Sequence, residues 1–250
     1  SDWAGKKITS ISRQDVSDRH AELTLKAGPV AANGVMRWLS AVLNWASDRY
    51  AHSEDRPLIP VNPVIVLTKR KQWNQEVRRQ TFVQSDDLPK LWQAIMSLPA
   101  SAKRWEMQAQ IARDYFLFCL FTGMRPDEAL RLEVKCVDLR RRVFLLEDTK
   151  NRDDFCIPFA SAVHALLERR AEYAAEISSK FVFPSSGHHG KSETLSTRSY
   201  WKKISGEIGG FVPKDLRRTF TTLVSNMEPA IPYLVIKRLL NHRAQVVDAS

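Results

Sequence analysis

Hydrophobic positions in the first third of the chain recur with helical spacing. Between residues 31 and 50 the apolar side chains return at intervals of three and four, which predicts an amphipathic helix. They are Val35, Trp38, Leu39, Val42, Trp45 and Ala46. The simplest interpretation places both tryptophans in a hydrophobic core. Another helix is expected at about residues 13–26, because Ser12 and Asp15 have the spacing of a capping box and Gly28 is followed by proline.

The periodic pattern stops at three prolines, Pro57, Pro60 and Pro63. The stretch that follows, "KRKQWNQEVRRQ" at residues 69–80, is polar and basic and has no apolar stripe. This pattern predicts a helical domain at residues 1–68, a basic linker at 69–80 and a second domain at 81–250. A charged linker is often no more than a solvated segment, and that interpretation stays open.

The second domain has the pattern of a mainly helical fold with a small antiparallel sheet. A capped helix is expected to begin in "SDDLPKLWQAIMSL", and a helix at about 108–121 is apolar on all sides, so it should run through the core. The runs "RRVFLLED" and "FCIPF" flank the polar "TKNRDD" and predict a β-hairpin. Further helices are expected at about 160–177, 195–208, 214–226 and 231–240.

Charge changes the picture by indicating a polyanionic partner. The chain has 38 Lys and Arg residues against 28 Asp and Glu, a formal net charge of +10. Residues 1–80 contain 13 basic and 8 acidic side chains, so both predicted domains are net positive. A shared positive charge favours nucleic acid as the partner of both segments. No apolar run is long enough to span a membrane and no signal peptide is visible, so a cytoplasmic location is expected.

The cysteines argue against a disulfide framework or a zinc site. Cys119, Cys136 and Cys156 are odd in number and lack C-x-x-C spacing. They are interpreted as reduced thiols in or near the core.

Four short stretches contain residues suited to chemistry on a phosphate. In "FTGMRPDEALRL", Gly123 ends the apolar helix and places Arg125 at a sharp turn, with Glu128 three residues later to hold its guanidinium. Lys150 lies on the turn of the predicted hairpin, where an ammonium can donate a proton to a leaving oxygen. A structural ion pair and a solvated lysine are the ordinary alternatives.

The other two stretches lie near the C-terminus. In "VPKDLRRTF", Lys214 and Arg217 share one face of a helix near its N-terminus, where a phosphate could bind, whereas Arg218 points elsewhere. In "LLNHR", Asn241 is suited to a left-handed C-cap and His242 projects from the helix end. A lone histidine there is more often a capping residue than a catalyst.

In this order and at these spacings, the four stretches resemble those of the tyrosine recombinases, specifically the phage-type integrases. The regions "ITSISRQDV", "AANGVMRWLSAVLNWA" and "NPV" are similar to the family's helical core-binding domain, and residues from about 80 onward are similar to its catalytic domain. The resemblance implies a recombinase that cleaves and rejoins DNA through a 3′-phosphotyrosine, for integration or excision of a phage or mobile element. Type IB topoisomerases share this chemistry but match the first region less well.

The resemblance implies roles for individual residues. Five would act on the scissile phosphate: Arg125, Lys150, Lys214, Arg217 and His242. Lys214 stands where most members have histidine. Supporting acids would be Glu128 and Asp215. General DNA contacts would come from Lys69, Arg70, Lys71, Arg78, Arg79, Arg152, Arg218 and Arg243. No metal or other cofactor is implied, because the arginines stabilise the charge of the transition state.

The nucleophile is the main departure from the family pattern. A tyrosine is expected about nine residues after His242, at position 251, and the sequence ends at Ser250. The 250 residues alone are therefore expected to be inactive, and the alternative function is a catalytically incomplete integrase fragment that occupies DNA sites without cutting them. The implied partners are duplex DNA, further copies in a tetramer on DNA, and accessory DNA-bending or directionality proteins. The implied location is the bacterial cytoplasm, at the nucleoid.

Overall fold

The computed structural model divides the chain into two compact units, residues 1–79 and 80–250. It describes residues 3, 5–50, 57, 59–77, 81–98, 103–146, 155–185 and 194–241.

Among the described residues of the first unit there are three α-helices. They are α1 (Arg13–Ala27), α2 (Pro29–Arg49) and α3 (Ile65–Lys69), preceded by a 3-10 turn at Ile8–Ser10. The predicted capping box begins α1: the Asp15 backbone N–H donates to Ser12 Oγ at 3.1 Å, and the Ser12 N–H donates to the Asp15 carboxylate at 2.8 Å. Gly28 ends α1 with φ +90°, and α2 begins at the next residue.

The core of the first unit does not contain the two tryptophans. Its buried apolar residues are Val16, Met36, Leu43, Ala46, Ile59, Val64, Val66 and Leu67. Trp38 and Trp45 are 76% and 59% exposed, so their predicted place in the core is wrong. Helix α2 carries two apolar faces, and only the face with Met36 and Leu43 packs with α1. The three-and-four spacing fits both faces and could not identify the buried one.

Part of the predicted linker is held on the helices of the first unit. Ser17 Oγ donates to the side chain of Gln72 at 2.5 Å. Asn33, which is buried in α2, donates from Nδ2 to the carbonyl oxygen of Asn74 at 2.9 Å and to Glu76 at 2.7 Å. These bonds attach residues 72–76 to α1 and α2.

The second unit is mainly helical with one small sheet, which confirms the predicted fold class. Its helices are α4 (Leu88–Met96), α5 (Lys103–Thr122), α6 (Pro126–Leu130), α7 (Ser161–Glu176), α8 (Arg198–Ile208), α9 (Pro213–Ser225) and α10 (Tyr233–Leu239), with 3-10 turns at Ser85–Asp87 and Val134–Cys136. Its strands are β1 (Val137–Asp138), β2 (Val143–Leu146) and β3 (Phe155–Pro158). The side-chain cap predicted for α4 is absent, because the 3-10 turn Ser85–Asp87 leads directly into the helix and leaves Asp87 with helical rather than extended backbone angles. The Asp87 carboxylate accepts a hydrogen bond from Lys90 Nζ.

The strands form an antiparallel sheet in the order β1-β2-β3. Val143 pairs with Pro158 and Leu146 with Phe155, which confirms the predicted hairpin. Residues 147–154, which connect β2 to β3, lie outside the described residues.

Helix α5 runs through the core of the second unit, as its apolar pattern predicts. Tyr115, Phe116, Phe118 and Cys119 are fully buried, and Phe118 contacts the ring of Phe144 on β2. Burial raises the pKa of the Tyr115 hydroxyl far above its ordinary value, which fits a packing residue.

One cysteine lies away from its predicted place. Cys119 is buried and Cys136 is half-buried, but Cys156 is exposed. Side chains alternate along a strand, and the neighbouring Ile157 takes the buried face of β3. Cys156 therefore faces outward.

Among the described residues, no helix is both long enough and apolar enough to cross a membrane. The same part of the chain contains no group of three or more His, Cys, Asp and Glu side chains placed to hold a metal ion.

Candidate functional site

The turn between α5 and α6 has a backbone that only glycine fits. Gly123 ends α5 with φ +64°, and its N–H donates to the carbonyl oxygen of Cys119 at 3.0 Å. A Cβ atom at this position would lie 2.3 Å from Cδ1 of Phe220 on α9. Both the left-handed conformation and the close approach of α9 therefore require glycine. Two residues later, Arg125 is the N-cap of α6.

Arg125 is held by its own helix. Its Nη1 donates to Glu128 Oε1 at 2.8 Å, as the three-residue spacing predicts, and the side chains are 29% and 10% exposed. A guanidinium has five N–H donors in a planar fork. Within the described residues, Glu128 is the acceptor found for Arg125. The other N–H groups of Arg125 are therefore available to an anionic ligand.

Arg217 reaches the same turn from α9. Its Nη1 donates to the carbonyl oxygen of Gly123 at 2.8 Å, and its Nη2 donates to the carbonyl oxygen of Leu240 at 2.5 Å. Leu240 is the C-cap of α10. One side chain thus ties together the α5–α6 turn, α9 and the end of α10. Sequence reasoning did not identify either carbonyl group as its acceptor.

The two arginines are electrostatically coupled. Burial and, to a smaller extent, the positive charge of Arg125 lower the pKa of Arg217 to about 10, and Glu128 acts in the opposite direction. Two guanidinium groups beside one carboxylate leave an excess positive charge in a partly buried place. A bound anion would offset this repulsion, because opposite charge favours the charged form of each arginine.

Two more cations lie on α9. Lys214 is exposed in the first turn of the helix and has no ion pair within the described part of the chain. Arg218, with a side chain 38% exposed, donates to Asp215 Oδ1 at 3.0 Å. Lys214 is thus available to a ligand, whereas Arg218 is engaged in an ion pair.

Asp215 supports the site through the backbone of α9. The residue is 1% exposed, and its Oδ2 accepts the N–H of Val212 at 3.0 Å, which caps the helix N-terminus. Its Oδ1 also accepts the hydroxyl of Thr81 at 2.8 Å. No sequence pattern indicates Thr81 as a partner of Asp215, because the two residues are 134 positions apart.

The end of α10 has the predicted backbone conformation. Asn241 has φ +49°, the left-handed region expected of a C-cap there. Six predicted site residues lie outside the described residues: Arg78, Arg79, Lys150, Arg152, His242 and Arg243. Three predicted DNA contacts, Lys69, Arg70 and Lys71, are exposed at and after the end of α3 in the first unit.

This arrangement is suited to a tetrahedral oxyanion. Paired guanidiniums bind phosphate oxygens in a bidentate manner, and fixed cations in a partly desolvated site stabilise negative charge that develops during a reaction. The described part of the site holds Arg125 and Arg217 together, with Lys214 exposed on the same helix as Arg217.

Comparisons with solved structures give the fold. The chain is similar to the XerH site-specific recombinase bound to difH substrate, with a TM-score of 0.67, 16% identity and coverage of 94% of this chain and 65% of that chain. It is similar to a lambda integrase tetramer bound to a Holliday junction, with a TM-score of 0.66, 16% identity and coverage of 96% of this chain and 66% of that chain. It is also similar to the Tn1549 transposon integrase in complex with circular intermediate DNA, with a TM-score of 0.64, 15% identity and coverage of 96% of this chain and 80% of that chain. The chain thus spans just under two thirds of the length of the first two.

The sequence itself identifies the family. No curated protein matches the chain. The sequence model of the phage integrase family matches residues 81–246, which is more than half of the chain and includes Arg125, Lys214 and Arg217. The chain therefore belongs to the phage integrase family of tyrosine recombinases.

Proposed function

We propose that this protein is a site-specific DNA recombinase that cleaves and rejoins DNA strands through a 3′-phosphotyrosine intermediate, for integration or excision of a phage or mobile element. The observation that carries the proposal is the convergence of Arg125 and Arg217 at the Gly123 turn, where the positive charge of Arg125 disfavours that of Arg217 until an anion binds. A scissile phosphate is such an anion.

The reaction needs the charge on the phosphate to be stabilised twice, once for cleavage and once for rejoining. Arg125 and Arg217 would bind the two non-bridging oxygens, and His242 would donate a hydrogen bond to the same phosphate. Lys150 would donate a proton to the leaving 5′ oxygen, and Lys214 would add a further cation. Fixed donors of this kind each contribute a rate factor of about 100 to 1,000.

The nucleophile would be a tyrosine about nine residues after His242. Its hydroxyl gives up its proton to solvent as its oxygen attacks the phosphorus, the bond to the 5′ oxygen breaks, and that oxygen leaves as a 5′-hydroxyl with a proton from Lys150. The phosphotyrosine keeps the phosphodiester energy, so rejoining needs no external energy source. Among the tyrosines in the sequence, Tyr115 is fully buried and packs in the core.

A second candidate function is the occupancy of DNA sites without cutting, as by a catalytically incomplete integrase. Binding of a phosphate by Arg125 and Arg217 would be sufficient for it. The proposed partners are duplex DNA, other copies in a tetramer on that DNA and accessory DNA-bending or directionality proteins, in the bacterial cytoplasm.

A nicked duplex with a radiolabel at the 5′ end of the strand to be cleaved tests both functions. The duplex is selected from random-sequence DNA by binding to the protein, and a nick just 3′ of the cleavage position lets the released 5′-hydroxyl fragment diffuse away. A recombinase should form a covalent adduct with the labelled strand that survives denaturation. A protein that only occupies DNA sites should bind the same duplex and form none.

The two candidate functions predict different results. A free 3′-phosphate, or binding without an adduct, would overturn the recombinase proposal and leave the occupancy of DNA sites as the function. Failure of the protein to bind duplex DNA would contradict both functions.

A further inference from the structure

The first described residues of the second unit are bonded to the helix that carries Arg217. The Thr81 hydroxyl donates to Asp215 Oδ1 at 2.8 Å, and the carbonyl oxygen of Thr81 accepts Arg218 Nη1 at 3.4 Å. Because Arg218 also pairs with Asp215, Thr81 and the two side chains of α9 form a closed set of contacts.

One turn further along α9, a second bond joins the same two segments. The Val83 N–H donates to Thr219 Oγ1 at 2.9 Å, and the Thr219 hydroxyl donates to the carbonyl oxygen of Asp215 at 2.8 Å. Thr219 is fully buried. Residues 81–83 thus lie along the buried face of α9 and are held at two points. We refer to the five residues Thr81, Val83, Asp215, Arg218 and Thr219 as the Thr81 clamp.

The clamp does more than cap a helix. Capping requires only that Asp215 accept a backbone N–H, as its Oδ2 does from Val212. A carboxylate 1% exposed carries a large desolvation cost unless it is paired and hydrogen-bonded. Thr81 and Arg218 supply that compensation at Oδ1. Thr81 is therefore one of the groups that hold Asp215, and with it the first turn of α9, in position.

We propose that Asp215 and Thr81 are positioning residues that set the placement of Arg217 against the scissile phosphate. This inference rests on the proposed function. Arg217 follows Asp215 by two residues on the same turn, so a shift of that turn moves its guanidinium. A misplacement of about 1 Å can cost about 100-fold in rate, even when it originates away from the reacting atoms.

The location of the clamp in the chain adds a second consequence. Thr81 lies two residues after the boundary between the two units, at Arg79–Gln80. The clamp is therefore the first described attachment of the second unit's chain to α9, the helix that carries Arg217.

The test measures how much each single phosphate contributes to the affinity of the protein for DNA. Duplexes of a selected binding sequence are prepared, each with a single neutral methylphosphonate in place of one phosphate, and the affinity of residues 1–250 is measured for each. Wild type should lose affinity by about tenfold or more at one position, as expected for loss of a charge-assisted contact from two arginines. Thr81→Val should reduce this position-specific loss to about twofold, and Thr81→Ser should restore it, because serine keeps the hydroxyl donor.

One control variant and one further test variant separate an effect on the position of Arg217 from general damage to the fold. Thr222→Val makes the same isosteric change on α9 at a half-buried residue outside the clamp, and it should leave the position-specific loss unchanged. Asp215→Asn, which removes the charge that pairs with Arg218, should act like Thr81→Val. Melting temperatures of all variants show whether each protein remains folded.

The outcomes distinguish the proposed function from the inference about the Thr81 clamp. If wild type shows no position-specific loss, the proposed function fails. If wild type shows the loss and folded Thr81→Val shows it equally, the clamp inference is overturned and the proposed function stands. If Thr222→Val also abolishes the loss, or serine does not restore it, the effect belongs to the helix in general and the inference is again overturned.

Discussion

The guanidinium of Arg217 donates a hydrogen bond to the carbonyl oxygen of Gly123, 94 residues away in the sequence. This bond fixes α9 against the turn that presents Arg125. The spacing of the two arginines is therefore set by a backbone atom of a third residue rather than by a contact between their side chains. Changes at the turn should alter phosphate binding even when both arginines are intact.

Replacement of Gly123 by alanine tests the turn. Gly123→Ala should lower the free energy of unfolding by about 2–4 kcal/mol, because φ is +64° and the new Cβ would overlap Phe220. Chemical denaturation followed by circular dichroism measures the change. Gly206→Ala on α8 is the matched control, since no atom lies within 4 Å of its Cβ position, and it should be neutral or stabilise by about 1 kcal/mol. Equal effects at the two glycines would contradict the role assigned to the turn.

Arg125 should be sensitive to a change that preserves its charge. Arg125→Lys removes the planar fork that contacts Glu128 and a phosphate together, so the rate of covalent adduct formation should fall by about 100-fold or more. DNA affinity should fall by less than about tenfold, because many other phosphate contacts remain. The rate of covalent adduct formation by the protein is measured at a saturating concentration of DNA. Arg131→Lys, at an exposed residue that follows α6, is the control, and an equal loss there would refute the prediction.

Salt should weaken DNA binding steeply. If six or more phosphates are contacted, affinity should fall by about 1,000-fold or more between 50 and 200 mM salt. Replacement of Lys69, Arg70 and Lys71 by glutamine should reduce the slope of log affinity against log salt by about three. Lys26→Gln serves as a control, because Lys26 is paired with Glu22. A salt response that is flat, or unchanged in the triple variant, would eliminate these residues as phosphate contacts.

The two faces of α2 should differ in their contribution to stability. Met36→Ala removes a fully buried side chain and should cost about 2–5 kcal/mol. Trp38→Ala removes a larger side chain that is 76% exposed, and it should cost less than about 1 kcal/mol. Denaturant titrations of residues 1–250 by circular dichroism compare them. A large cost at Trp38 would mean that the exposed face of α2 is covered in solution.

The cysteines should differ in reactivity. Burial raises the pKa of the Cys119 thiol to about 12, so at pH 8 only about one molecule in ten thousand carries the reactive thiolate. Cys156 is exposed on β3. A thiol reagent at pH 8 should therefore modify Cys156 in the native protein and Cys119 only after denaturation, as located by peptide mass spectrometry. Rapid labelling of Cys119 in the native protein would contradict the prediction and show that α5 unfolds locally at a low cost in free energy.

Local features of the fold could be predicted from the sequence because they depend on neighbouring residues. The capping box of Ser12 and Asp15, the β2–β3 hairpin and the buried course of α5 all follow from patterns within a few turns of chain. The Arg125–Glu128 pair belongs to the same class, since its members are three residues apart. Short-range geometry and side-chain periodicity are sufficient for such features.

Features that depend on distant segments could not be predicted. The spacing on α2 fits two apolar faces, and only the packing of α1 decides which face is buried. The acceptors of Arg217 and the partner of Asp215 lie on other elements, 23 to 134 residues away. No rule of propensity or spacing connects residues so far apart. The family resemblance identified the arginines, but only the folded chain reveals what orients them.

The register of the small sheet has a consequence for how such proteins diversify. Leu146 and Phe155 are paired, so the chain leaves β2 and enters β3 at fixed points, whatever lies between them. A variant with residues added between these two points should keep the four residue pairs of β2 and β3. The length of the connection can therefore change while the scaffold is retained, in relatives and in engineered variants.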